Sequence, residues 1–219
     1  MKVVNEVSVE YISHMGDDTA VVNSARVSFA KEHKEFQEEQ DSRLLRYLAK
    51  HGHWSPFAHT CISVRCSVPI FLARQLVKHQ VGGSWNEESR RYIDTDPEFY
   101  VPDNYHKRAE SAKQGCGVEL DVPNGTRTKY ELLEHSNKCF KLYKTQLELG
   151  LAPEEARMFL PLNTMTNFIW TGSLYFFHRV IKQRSDPHAQ TVAREFAEKL
   201  EAVIKDCYPK AYEALKEYD

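Results

Sequence analysis

Several absences narrow what this chain can be. Its five cysteines stand at positions 61, 66, 116, 139 and 207, and no two form a C-x-x-C pair. Neither a zinc ribbon nor a disulfide framework is therefore indicated. The opening MKVVNEVSVEY has no signal-peptide apolar stretch. No apolar run approaches the roughly 18 residues of a membrane span. These features lead to the expectation of a reduced, cytoplasmic protein (host cytoplasm, for a viral chain) with no membrane partner. Neither sign of charge is in excess: 29 basic side chains face 31 acidic ones, for a formal charge of −2. Nothing draws the whole surface to nucleic acid, so no nucleic-acid partner is expected and any anion site must be local. There is no P-loop and no G-x-G-x-x-G, which excludes a Rossmann-type dinucleotide fingerprint. No serine or cysteine sits beside a base in the manner of a hydrolytic triad.

What is present reads as one domain over residues 1–219, of α/β (α+β) class, with a strand-rich first half and a helical second half. DSRLLRYLAKHG (41–52) has Leu44, Leu45 and Leu48 at helical spacing and a stop at Gly52. In TCISVRCSV (60–68), Ile62, Val64, Cys66 and Val68 alternate with Cys61, Ser63, Arg65 and Ser67, the period of a strand with one buried face. Pro69 suits the first turn of a helix over PIFLARQLVKHQ. There Arg74/Lys78 and Gln75/His79 form i,i+4 pairs, and Gly82-Gly83 ends the helix. Residues 101–125 read as partly irregular. Further helices are predicted over about 126–149, from Pro153, over about 164–183 and over about 187–217.

Four stretches carry candidate chemistry. KHQVGGSWNEESRRY (78–92) is either a charged helix end with a solvated loop, or a site where Gly82-Gly83 admits close backbone approach to a ligand. In the second case Glu87, Ser89, Arg90 and Arg91 supply an acceptor, a hydroxyl and two forked donors suited to a phosphate monoester. HGHWSPFAH (51–59) offers three histidines but no completing carboxylate or cysteine. A polar pocket wall from His53 and Ser55 is preferred there to a metal site, and no metal is expected. Arg157, in APEEARMFLPLN, is either an ion-pair partner of Glu154 or Glu155 or an anion clamp. Arg184 lies just before Asp186-Pro187, read as the N-cap and first-turn proline of the last helix, and so sits at a junction between two helices. From the residues alone, the chain binds a small phosphorylated molecule.

Taken in order, NSARVSF (23–29), LAKHGHWSPFAH (48–59), PIFLARQ (69–75), NEESRRY (86–92), FY (99–100), EEARMFLPLN (154–163) and RSDPHAQ (184–190) resemble the flavin-dependent thymidylate synthases. The resemblance runs through most of the chain and implies that family's fold, a central sheet flanked by long helices, and a homotetramer with sites shared between subunits. It implies methylation of dUMP to dTMP, with methylenetetrahydrofolate as carbon donor, NADPH as reductant and FAD as the flavin cofactor. No cysteine attacks the uracil in this family, and none here lies in a Pro-Cys-Gln setting. A neighbouring outcome, hydroxymethylation of dUMP or action on a related pyrimidine nucleotide, stays open, as does a homologue that only binds nucleotide.

By position, the resemblance puts Gln75, Lys78, Glu87, Glu88, Ser89, Arg90, Arg91, Arg157 and Arg184 around dUMP, with Arg184 as the catalytic cation favouring ionisation at uracil N3. It puts His53, Ser55, Lys78, His79, Gln80, Glu87, Ser173, Tyr175 and Arg179 on the flavin, with Ser28 nearby. The chain departs from the family's Arg-His-Arg, seven residues, then Ser: it has Lys78-His79-Gln80 and eight residues before Ser89. Lys78 keeps a charge without the planar fork, and Gln80 loses the charge.

Overall fold

The computed structural model describes residues 1–109 and 115–219; part of the 101–125 stretch read as irregular lies outside them. The chain opens with strands β1 (Lys2–Val4) and β2 (Ser8–Met15), then helix α1 (Asp18–Arg26), capped by the Asp17 carboxylate, which accepts the Ala20 N–H at 2.8 Å. Helix α2 (Glu38–Lys50) turns Leu45 and Leu48 inward, as its leucine spacing predicts. The period-two run becomes β3 (Cys61–Pro69), with Ile62, Val64, Cys66 and Val68 fully buried. After it come α3 (Ile70–Leu76), β4 (Gly83–Glu87), β5 (Glu98–Tyr100), β6 (His106–Arg108) and β7 (Cys116–Glu119). The second half holds α4 (Val122–Glu148), α5 (Pro153–Ala156), β8 (Met165–Gly172), α6 (Leu174–Arg184), α7 (Thr191–Cys207) and α8 (Pro209–Glu217).

A four-stranded antiparallel sheet in the order β2-β3-β8-β4 forms the centre, with β1-β5 and β6-β7 as separate two-stranded pairs. Its buried face presents Ile62, Val64, Phe168 and Trp170 to Phe177 and Val180 of α6 and Phe196 and Leu200 of α7. Trp170 is the hub. Trp85 of β4 and Phe176 and Phe177 of α6 all meet its ring edge-on, with centroids 5.3 to 5.5 Å away.

Four readings from the sequence are corrected. Residues 164–183 are not one helix: Met165–Gly172 is a strand at the middle of the sheet, and the helix begins only at Leu174. A continuous apolar run does not separate a buried strand from a buried helix. The boundary is Ser173, whose hydroxyl oxygen accepts the Phe176 N–H at 3.2 Å as an N-cap. The helix over 69–80 stops at Leu76, with Pro69 as its N-cap, so Lys78 and His79 lie beyond it rather than one turn along it. Gly83 does not end that helix but starts β4, so the suspected loop begins as an edge strand. Asp186 does not cap the last helix: its carboxylate accepts the His188 N–H at 2.7 Å in a turn, α7 starts at Thr191, and Pro209 divides the remainder into α7 and α8.

Two buried carboxylates tie distant segments. Asp18 accepts the Lys210 and Ala211 N–H groups at 3.0 and 2.8 Å, sealing the first turn of α8 against the start of α1. Asp41, fully buried, pairs with Arg26 at 2.5 Å, and Arg26 is itself only 7% exposed. Asp41 also accepts the Gln37 N–H at 2.7 Å and lies 3.1 Å from the His33 ring. Burial alone would raise its pKa. The hydrogen bonds from Gln37, His33 and Arg26 outweigh that and hold it below the usual carboxylate value.

Asp41→Asn leaves Arg26 buried without its counter-charge and is expected to cost about 3–5 kcal/mol in chemical denaturation at neutral pH. A depressed folded-state pKa stabilises fully above the unfolded value and is lost as pH falls through the folded one. The stability gap between wild type and variant should therefore narrow on acidification below about pH 4. A gap independent of pH would contradict this account.

Candidate active site

The residues singled out from the sequence gather in three places. The first is a cavity of about 650 Å³, lined on one side by Glu87, Glu88, Ser89, Arg90 and Arg91 and on the other by Arg157 and Met158. Edge strand β4 delivers the first group, and β8 fixes it. Thr166 donates its hydroxyl to Glu87 at 2.8 Å, and Trp85 Nε1–H donates to the same carboxylate at 3.1 Å. Asn167 donates from its side chain to Glu88 at 2.8 Å and accepts the Glu88 N–H at 2.8 Å. Arg90 leans on Glu88 at 3.8 Å and donates to the Thr95 carbonyl. Ser89 Oγ accepts from Arg91 Nε at 3.2 Å, which leaves the serine O–H available to a ligand, and the Arg91 guanidinium lies 4.9 Å from the Tyr92 ring centre. Arg157 makes no ion pair with Glu154 or Glu155 among the described residues; it donates to the Glu154 backbone carbonyl at 3.0 Å. With three guanidiniums against two carboxylates that already accept hydrogen bonds, this cavity suits an anion.

The second place is a cavity of about 1010 Å³ whose lining includes Gln75, Arg179, Lys182, Arg184 and Gln190. Arg184 ends α6, and its Nε and Nη2 lie 3.1 and 3.0 Å from His79 Nε2, with Nη2 also donating to the Gln75 carbonyl at 3.3 Å. Burial, then the nearby charges of Arg184 and Arg179, push the His79 pKa down to about 4, so the imidazole is neutral near pH 7. The third place is exposed and aromatic. His53 and Ser55 sit on the surface at a short turn, and the Trp54 ring lies 5.8 Å from that of Tyr175 at a 30° tilt. His53 and Ser55 do not wall either charged cavity. Lys78 and Gln80 are exposed on the α3–β4 connection, Ser28 is exposed after α1, and Ser173 is engaged as the α6 cap.

The two charged cavities have no lining residue in common, so one chain does not bring Arg184 and Ser89 into a single described pocket. An apolar cavity of about 790 Å³ lies beside both, sharing Gln190 with the second and Leu160–Leu162 with the first. Thr166 and Asn167, which hold the two glutamates, do not stand out in the sequence because the apolar run of β8 reads equally as helix; the β-branched and aromatic residues there are the available signal. Among the described residues, no three His, Cys, Asp or Glu side chains are grouped to hold a metal, and no helix is long and apolar enough to cross a membrane.

Residues 10–210 match the protein family described as "Thymidylate synthase complementing protein". A flavin-dependent thymidylate synthase of Thermosipho africanus is 35% identical over 99% of this chain and 94% of its own length. The chain belongs to the flavin-dependent thymidylate synthase family. A second member, from Wolbachia pipientis wMel, is 37% identical over 99% of this chain and 76% of its own. Among solved structures, a UMP/dUMP methylase, PolB from Streptomyces cacaoi bound with 5-Br dUMP, superposes with a TM-score of 0.89 at 27% identity, covering 100% of this chain and 98% of that one. This family member is thus an enzyme with a mixed α/β fold, as its motifs imply.

Of the two glycines at the base of the serine–arginine segment, Gly82 takes a φ of +91°, which favours glycine, and Gly83 is explained by packing. Gly83 and Gly172 are register partners across β4 and β8, and the Phe176 ring lies against both backbones. A Cβ on Gly83 would stand 2.4 Å from that ring, and one on Gly172 2.2 Å from it. Gly83→Ala should therefore lose about 1–3 kcal/mol by overpacking and lower turnover through displacement of β4. Gly125→Ala, in α4 with open space around it, should gain about 0.5–1 kcal/mol. Thermal melts of the two variants check this; similar effects from both would refute the packing account.

Proposed function

We propose that the enzyme adds a one-carbon unit to C5 of dUMP and delivers it as a methyl group, giving dTMP. Methylenetetrahydrofolate is the donor, NADPH the reductant, and FAD, when bound, supplies the redox chemistry that carbon and reductant share. The observation that carries this reading is Arg184, a cation held in place by a neutral acceptor inside a family motif. A guanidinium fixed beside the pyrimidine favours the ring's N3 anion, which makes C5 a better nucleophile. Gln75 lies in the same cavity and shares that end of the nucleotide. Ser89, Arg91 and Arg157 offer a hydroxyl and two forks to the phosphate, while Glu87, Glu88 and Arg90 brace them.

The residues present fit a flavin dinucleotide. Arg179 is exposed and without a carboxylate partner among the described residues, and Lys182 lines the same cavity, a cationic pair for a diphosphate to which exposed Lys78 would add a third charge. Tyr175, exposed Trp54 and the neighbouring His53 and Ser55 provide ring faces and a hydroxyl. His79, Gln80, Glu87 and Ser173 complete the flavin-facing set. The working unit in this reading is the homotetramer that the family resemblance implies, with residues 1–219 acting as one domain; the separation of the two charged cavities among the described residues supports a site shared between subunits. One subunit contributes Arg184, and another contributes the Ser89–Arg91 segment.

A second reading concerns the sugar. The same Streptomyces cacaoi methylase is also solved with 5-Br UMP, at a TM-score of 0.87, so the ribonucleotide is a candidate substrate here too. Mass analysis of the product from dUMP, methylenetetrahydrofolate, FAD and NADPH should give dTMP. Hydroxymethyl-dUMP would overturn the methyl assignment, and methylated UMP from a parallel reaction would widen the substrate range. Arg184→Ala should lower kcat by ~10²–10³ while FAD stays bound. Undiminished turnover would refute its role. Arg184→Ala and Arg91→Ala chains, each inactive alone, should recover roughly a quarter of wild-type activity when co-assembled at random across a two-fold interface. No recovery would place both residues in one subunit's site.

A further inference from the structure

Arg184 does not project freely from the end of α6. Its Nε and Nη2 reach His79 Nε2 at 3.1 and 3.0 Å, and Nη2 also reaches the Gln75 carbonyl at 3.3 Å. The acceptor is itself held: the His79 N–H donates to the Leu76 carbonyl at 3.0 Å, and the ring sits 6.4 Å from Trp170 at the centre of the core. A guanidinium has five N–H donors in a rigid plane. With one edge occupied in this way, the Nη1 end is uncommitted among the described residues and has a fixed direction.

The chemistry of the acceptor matters as much as its place. His79 Nε2 accepts only when unprotonated, so the ring proton lies on Nδ1. Burial is the main cause that keeps it neutral, and the charged groups facing it, Arg184 and Arg179, both cations on α6, add to that effect. A carboxylate at this point would hold Arg184 more firmly but would also neutralise it. The cation would then do little for negative charge developing on a bound ring. A neutral imidazole fixes the direction of the guanidinium and leaves its charge intact.

We propose that His79 is a positioning residue for Arg184, aiming the Nη1 end of the guanidinium at the pyrimidine, a role separate from any contact its ring makes with flavin. This rests on the reading of Arg184 as the group that meets the pyrimidine. The FAD-loaded enzyme tests it through a double-mutant cycle on the dissociation constant of dUMP, with the FAD dissociation constant measured alongside. With FAD saturating, His79→Ala should weaken dUMP about tenfold, a loss larger than any it causes in FAD affinity and of the size expected when a charged hydrogen-bond donor loses its acceptor. In an Arg184→Ala background the same change should have no further effect. His79→Gln, which offers a neutral oxygen, should restore most of the binding. His79→Glu should bind dUMP but lose kcat, because it quenches the cation. Losses that multiply in the double variant, or a His79→Ala defect wholly matched by weaker FAD binding, would overturn the positioning role while leaving Arg184 in its own. If Arg184→Ala binds and turns over dUMP normally, the reading of Arg184 falls, and this inference with it.

Discussion

The face of Phe176 against two glycines is the contact on which the rest of the site depends. Gly83 and Gly172 face each other across β4 and β8, and with no side chain on either, an aromatic ring closes onto bare backbone. Phe176 belongs to α6, two residues into a helix that starts from the Ser173 cap and ends at Arg184. The ring therefore locks the strand that delivers Glu87 through Arg91 to the helix that delivers Arg184. That contact helps to fix the relative placement of the two charged cavities, which share no lining residue among those described. Close packing transmits such a constraint because the interior has few voids in which it could dissipate.

Electrostatics in this enzyme are local. The near balance of acids and bases across the chain hides two clusters in which arginine outnumbers carboxylate. In the first, the glutamates that could compete for the guanidiniums are drawn off by Thr166, Trp85 and Asn167. In the second, the partner of Arg184 is neutral. Both devices keep cations available to a ligand. The buried Arg26–Asp41 pair is the opposite arrangement: there the charges cancel each other, and the result is a fixed turn rather than a binding surface.

Strand β3 was legible because its buried face alternates without a gap, and α2 because its leucines repeat at helical spacing. Strand β8 was not, since Met165, Phe168 and Trp170 read equally well on a helix; only the β-branched content and the Ser173 cap mark the change. Strand β4 was hidden by its composition. Glycine, serine and asparagine are poor strand formers, and Gly83–Glu87 is extended because β8 pairs with it. The motif residues were all recoverable from the sequence, and so were their residue types. Their division between two cavities was not, because it depends on how β8 and α6 sit in the sheet. The tie between His79 and Arg184 was equally hidden, since 105 positions separate them.

The strand order has a consequence for how the protein is made. Strands β2 and β3 come from the first 69 residues, but the neighbour that completes β3 is β8, which ends at Gly172, and among the described residues β4 pairs only with β8. Asp18 finds its partners still later, at Lys210 and Ala211. During synthesis the serine–arginine segment emerges long before the strand that supports it. The nascent chain must carry an exposed β3 edge and the unpaired β4 until more than three-quarters of its length is available. Such non-local pairing makes folding slow and leaves those edges open to wrong partners. The largely polar character of β4 then has a second use, because a strand that cannot hold its own shape is a poor template for aggregation.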